Sequence, residues 1–151
     1  EVLLDLSDSP YVRTAGARMA KYEVDLNALN DGKLCDNDIV LMRYADVLLM
    51  RCEAMLRDGQ AGAEADALLN AVRSRAGAPA REATLDNLLD ERLLELVWEG
   101  WRRNDLVRFD RFATPIPDRP LYSGDLDGHT TVYPIPGETL LVTGDSQNPG
   151  Y

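Results

Sequence analysis

Residues 91–109 read ERLLELVWEGWRRNDLVRF. Glu91, Glu95 and Glu99 recur every four positions, which sets three carboxylates along one face of a helix. Leu85, Leu88/Leu89, Leu93 (or Arg92) and Leu96 form the apolar stripe of the same helix. Thr84 suits its N-cap, and Asp86 places negative charge in its first turn. Gly100 interrupts the pattern, as a bend or a close helix approach requires. A further helical stretch then runs to about Phe109, carrying Trp101, Leu106 and Phe109. Arg92, Arg102, Arg103 and Arg108 are available to neutralise the acids. The stretch therefore reads as an acid–arginine network tying one helix to the next. Buried bidentate pairs of this kind fix geometry more than they add net stability.

Upstream, Leu41, Tyr44/Ala45, Leu48, Cys52 and Met55 recur every three or four positions and predict an amphipathic helix. Glu53 and Arg57 are expected on its opposite face as a surface ion pair. Asp58-Gly59 ends it. A second helix follows, with Ala65, Leu68/Leu69 and Val72 inward, basic Arg73 and Arg75 in its last turn, Gly77 as the cap, and Pro79 blocking continuation. Two such helices joined by a short loop pack as a hairpin. The spacing is loosely tetratricopeptide-like.

The ends of the chain differ. Six of the eight prolines lie between Pro115 and Pro149, which excludes long helices there and predicts extended segments and turns anchored by Tyr133, Ile135, Leu140 and Leu141. Residues 1–38 show short apolar stretches broken by Pro10, Gly16 and Asn30-Asp31-Gly32, and read as loops or a poorly packed strand. The division is thus 1–38, a remnant of an upstream region; 39–112, a helical core; and 113–151, a Pro-rich cover.

Sixteen basic and 26 acidic residues leave a net charge of −10, which repels phosphate backbones, so no nucleic-acid partner is expected. Catalysis is poorly served. His129 is the single histidine, a solvated loop residue on this reading, and no Gly-x-Ser-x-Gly elbow is present. The Glu91–Glu95–Glu99 row points one way, whereas a glycosidase flanks its bond from two sides. No metal site or cofactor is expected either. Asp125-Leu126-Asp127-Gly128 resembles the start of a calcium loop but lacks the closing Glu. Cys52 sits at an apolar helical position as a small buried hydrophobe, and pairing with Cys35 stays open. Catalytic residues are therefore none, and binding is the default. Trp98, Trp101, Tyr11, Tyr22, Tyr122 and Tyr133 are the aromatics able to stack on sugar rings. Of these, Trp98 and Trp101 are expected in the core.

Four segments resemble one family. The spacing ER-x-x-EL-x-x-EG-x-R-x-x-DL-x-R, the helix RYADVLLM at residues 43–50, YPIP-x-x-E at 133–138 and the terminal QNPGY at 147–151 look like the signature of SusD/RagB outer-membrane nutrient-binding lipoproteins, in family order. The signature positions are Arg43, Glu91, Arg92, Glu95, Glu99, Gly100, Arg102, Asp105 and Arg108, all expected to be structural. Arg103 and Asn104 stand where the family often has aromatics.

The resemblance implies a mainly α fold: tetratricopeptide-like hairpins under an irregular Pro-rich C-terminal cover. It also implies a non-catalytic subunit that captures a nutrient, expected to be an oligosaccharide, and delivers it to a SusC-like TonB-dependent transporter. Such a protein is surface-exposed at the outer membrane. Because the chain opens on Glu1-Val2-Leu3-Leu4-Asp5-Leu6, without an initiator Met or apolar signal segment, it is expected to be the C-terminal portion of a longer protein whose lipid anchor lies in missing N-terminal sequence. No ligand-contacting residue carries over. A helical-repeat adaptor for protein partners is the rival reading; it explains the hairpins but not the YPIP and QNPGY ends. A glycoside hydrolase is a third, which turnover of a glycan panel would be needed to revive.

Overall fold

A computed structural model describes residues 20–23, 25–27, 35–114 and 128–151. The chain separates into two compact units, Glu1–Leu41 and Met42–Tyr151. In the first, Asp25 organises the described residues: its carboxylate accepts from the amides of Asn27 and Asp36 at 2.9 and 2.7 Å.

The second unit is built of helices α1 (Tyr44–Arg57), α2 (Ala63–Arg75), α3 (Leu85–Leu96), α4 (Arg102–Arg108) and α5 (Gly137–Thr143), with one 3₁₀ turn at His129–Thr131. No strand occurs among the described residues. The fold is therefore mainly α. α1 and α2 pack as a hairpin and α3 lies against both, with α4 packed on α3. Thr84 caps α3 by accepting from the Asn87 amide at 3.1 Å. Gly100, at φ +80°, breaks the chain between α3 and α4 in a conformation that side chains other than glycine's rarely adopt.

The core is small. Leu49 and Cys52 of α1, Ala65, Leu69 and Val72 of α2, and Ala83 and Leu88 beside and within α3 are buried together. Each buried leucine contributes about 1.5–3 kcal/mol. Cys52 donates its thiol to the Ala65 carbonyl at 3.4 Å, and both cysteines are free. The inward face of α1 keeps Ala45, Leu48 and Cys52 of its predicted stripe but is shifted toward Asp46, Leu49 and Glu53. Leu49 is fully buried whereas Leu41 and Tyr44 are 82% and 74% exposed. The reason is that Asp46 and Glu53 also turn inward, so the buried face includes charged positions that an apolar count leaves out. Glu53 does pair with Arg57, at 2.9 Å, but from inside the protein rather than on the surface.

Residues 128–151 lock onto themselves. The Gln147 side chain behaves like a strand neighbour, accepting from the Ile135 amide and donating to the Ile135 carbonyl, both at 2.8 Å. Asn148 donates to the Tyr133 carbonyl at 2.7 Å, and the Tyr151 hydroxyl to the Val132 carbonyl at 2.9 Å. The His129 ring sits edge-on to Tyr151 with centroids 4.8 Å apart, so it is a packed residue and not a merely solvated one. Gly150, at φ +96°, lies directly against it: a Cβ there would come within 2.6 Å of His129 Cβ and Cγ. Gly150→Ala must open the clasp. Hydrogen exchange should show faster exchange at the Ile135 and Asn148 amides in this variant, with the α1–α3 amides unchanged.

Candidate functional site

Among the described residues, the buried charges of the helical layer join into three lattices in which acids and arginines are equal in number, apart from exposed pairs such as Arg51–Glu64. The first runs Asp46–Arg92–Asp105–Arg108–Glu53–Arg57, alternating in sign, with separations of 2.8, 2.9, 2.9, 2.8 and 2.9 Å. It crosses from α1 to α3 to α4 and back. Arg92 is the largest fully buried side chain in the unit, at 1% exposure, and Asp46 and Asp105 are equally enclosed. The second links Arg75, Glu95, Arg43 and Glu99. Arg75 meets Glu95 at 2.8 Å and Arg43 meets Glu99 at 2.9 Å, while Arg43 also pairs with Glu95 and donates to its backbone carbonyl. The third joins Arg73 to Glu91, with the Arg73 Nε also donating to the Pro79 carbonyl at 2.7 Å.

Electrostatics follow from this enclosure. Burial pushes the Asp105 carboxyl above its ordinary range, although Arg92 and Arg108 pull the other way. Burial opposes the Arg43 charge, yet the Glu99 and Glu95 carboxylates outweigh it and the guanidinium holds its proton more tightly than usual. One oxygen each of Asp46 and Asp105, together with the Arg92 Nε, is buried without a hydrogen-bond partner. Arg92 Nε thus lies at ion-pair distance from Asp105 without aiming its N–H at it.

The signature residues divide. Arg43, Glu91, Arg92, Glu95, Glu99, Asp105 and Arg108 all enter the lattices. Arg102 does not: it donates to the Leu89 carbonyl at 3.2 Å. Asp46, Glu53, Arg57, Arg73 and Arg75 complete the lattices although the spacing of residues 91–109 gives no sign of them. Arg103 joins none; it spans two rings, 3.9 Å from the Tyr133 centroid and 5.0 Å from that of Phe112.

Among the aromatics, Trp101 is half-buried, but Trp98 is 69% exposed, contrary to the core position expected for it. Its φ of +65° turns the side chain out of the helical register, a conformation costing about 1–2 kcal/mol for a residue with a Cβ. Beside it opens a cavity of about 350 Å³ lined by Leu93, Leu96, Val97, Gly100 and Arg102. Tyr11, Tyr122 and Asp125–Asp127 lie outside the described residues. Among those described, no cluster of three or more His, Cys, Asp or Glu could hold a metal ion, and no helix is long and apolar enough to cross a membrane. Burial raises the Cys52 thiol pKa, which disfavours the thiolate a nucleophile requires.

Comparison with known proteins gives the lattice a context. The profile of the SusD family matches residues 12–151. The starch-binding protein SusD of Bacteroides thetaiotaomicron is 34% identical over 91% of the chain, which spans 26% of that relative's length. A laminarin-binding SusD-like protein superposes with a TM-score of 0.61 at 42% identity, over 74% of this chain and 23% of that one. The surface glycan-binding protein A of B. thetaiotaomicron, in complex with laminarihexaose, superposes at 0.63 with 33% identity, over 78% and 26% of the two chains. The chain thus spans about a quarter of the length of these relatives.

Removing Arg92 takes the arginine partner from the buried Asp46 carboxylate and leaves Asp105 with Arg108 alone. Arg92→Met is expected to cost about 3–5 kcal/mol in urea unfolding. Arg51→Ala, which breaks the exposed Arg51–Glu64 pair (62% and 60% exposed), should cost less than about 1 kcal/mol.

Proposed function

The chain belongs to the SusD family, and we propose that it forms the C-terminal helical part of a non-catalytic glycan-binding subunit that delivers its ligand to a SusC-like TonB-dependent transporter. The observation carrying this reading is the state of the acid row. The side chains of Glu91, Glu95 and Glu99 are 4%, 6% and 1% exposed, and each is paired with an arginine. Burial and arginine pairing support reading these carboxylates as scaffold rather than as the pair that flanks a glycosidic bond. The relatives agree in kind, being named for binding starch, laminarin or surface glycan.

On this proposal all nine signature residues are structural, Gly100 by permitting the turn between α3 and α4. Residues 1–38 belong to an upstream region, 39–112 to the helical core, and 113–151 to a Pro-rich cover. The full-length protein is surface-exposed at the outer membrane and held by a lipid anchor. Calorimetry on the full-length protein with starch and β-glucan oligosaccharides should give saturable binding without release of reducing ends. Glu95→Gln should lower the melting temperature while the folded fraction keeps its affinity. Steady hydrolysis abolished by that substitution in a folded protein would reverse the assignment.

The α1–α2 hairpin supports a docking role, because stacked helical pairs offer broad protein-binding faces. Arg51 and Glu64 would sit at the rim of such a contact. Glu53, buried and doubly paired, would not. Arg51→Glu in the full-length protein is expected to weaken co-purification with the transporter and to spare glycan binding. Undisturbed co-purification would move the docking face elsewhere.

A further inference from the structure

The helical layer and the segment Gly128–Tyr151 are two stiff parts with little between them. No residue of α5 is buried, and α5 makes no substantial packing with α1–α4. What the described residues do offer is one guanidinium. Arg103, in the first turn of α4, donates through Nη2 to the carbonyls of Thr130 and Thr131 at 2.8 and 3.1 Å. Its plane also lies over Tyr133, with Phe112 flanking it. A guanidinium suits this position because it is planar enough to stack and still presents donors at its edge, which an ammonium cannot combine.

Both ends of this connection are anchored. On one side, Asp105, two residues along α4, is held by Arg92 and Arg108. On the other, Tyr133 and Ile135 are tied by Asn148 and Gln147 into the self-locked segment. A guanidinium anchored at both ends in this way ties the segment to α4.

We propose that Arg103 is a positioning residue: a latch that fixes the Gly128–Tyr151 segment on the helical layer. It thereby fixes where α5 presents Leu141 and Val142, each 87% exposed. The inference is independent of the glycan reading.

The test uses the full-length protein with Cys35→Ser, any other exposed cysteine replaced, and spin labels at Ala71→Cys on α2 and Thr139→Cys on α5. Pulsed dipolar spectroscopy should give one narrow distance distribution in this parent. Arg103→Ala is expected to broaden it, and Arg103→Lys to broaden it as well, since charge without the plane does not restore the stack. Tyr133→Ala, which leaves α4 intact, should broaden it too, whereas Tyr133→Phe should not. Hydrogen exchange at the Ile135 and Asn148 amides should stay as slow in Arg103→Ala as in the parent, which separates release of the segment from its unfolding. A broad distribution in the parent, or a narrow one in both alanine variants, would overturn the latch.

Discussion

Everything in the helical layer is arranged around one guanidinium that has been taken out of water. Removing a charge from solvent costs several kcal/mol even after relaxation, and the cost is offset only when partners surround it closely. Arg92 meets this requirement with Asp46 from α1 and Asp105 from α4, so three helices are held at distances that no apolar contact alone would specify. Apolar packing tolerates a range of angles, whereas a carboxylate must meet an N–H within a few tenths of an ångström. With so few fully buried apolar side chains, the core has little power to discriminate among packings. Charge pairing supplies that discrimination.

The neutrality of each lattice matters as much as its geometry. The chain carries a net charge of −10, so an unpaired buried carboxylate would sit in an already unfavourable field. Among the described residues, the buried carboxylates are the paired ones. Pairing also accounts for acids at four-residue spacing in the signature, since each is taken up by an arginine. Glu91 and Glu95 on α3, and Glu99 just beyond its end rather than on the same helix face, reach two places: Glu91 goes to α2, Glu95 to both α2 and the residue preceding α1, and Glu99 to that same residue.

Much of this was legible in the sequence. Helices α1 to α4, the Thr84 cap and the break at Gly100 follow from periodicity and local backbone chemistry, which act over a few residues; α3 nevertheless ends at Leu96, short of Glu99, and α5 stands where the prolines predict extended segments and turns. The partners of the acids were not, because they lie in other elements: Arg92 and Asp46 are 46 positions apart, and Arg43 and Glu99 are 56 apart. Reading charged residues as outward also rotated α1 by one position, since Asp46 and Glu53 occupy its inner face. Trp98 misled for a related reason. An aromatic in an apolar run reads as core, but the backbone turns left-handed at that residue and carries the indole outward. The clasp around Ile135 has no periodic signal at all, being a side-chain amide that imitates a peptide group.

That imitation has a chemical corollary. A clasp made of side-chain amides is exposed to ageing, because an asparagine is commonly lost when the next backbone nitrogen attacks its side chain and closes a five-membered ring. Asn148, which holds the Tyr133 carbonyl, is followed by Pro149, whose nitrogen carries no hydrogen and cannot close that ring productively. Gln147 is one methylene longer and would need a slower six-membered closure. The order Gln-Asn-Pro therefore gives the clasp a durability that its hydrogen bonds do not themselves confer, and sets the lifetime of the closed end by covalent rather than conformational chemistry.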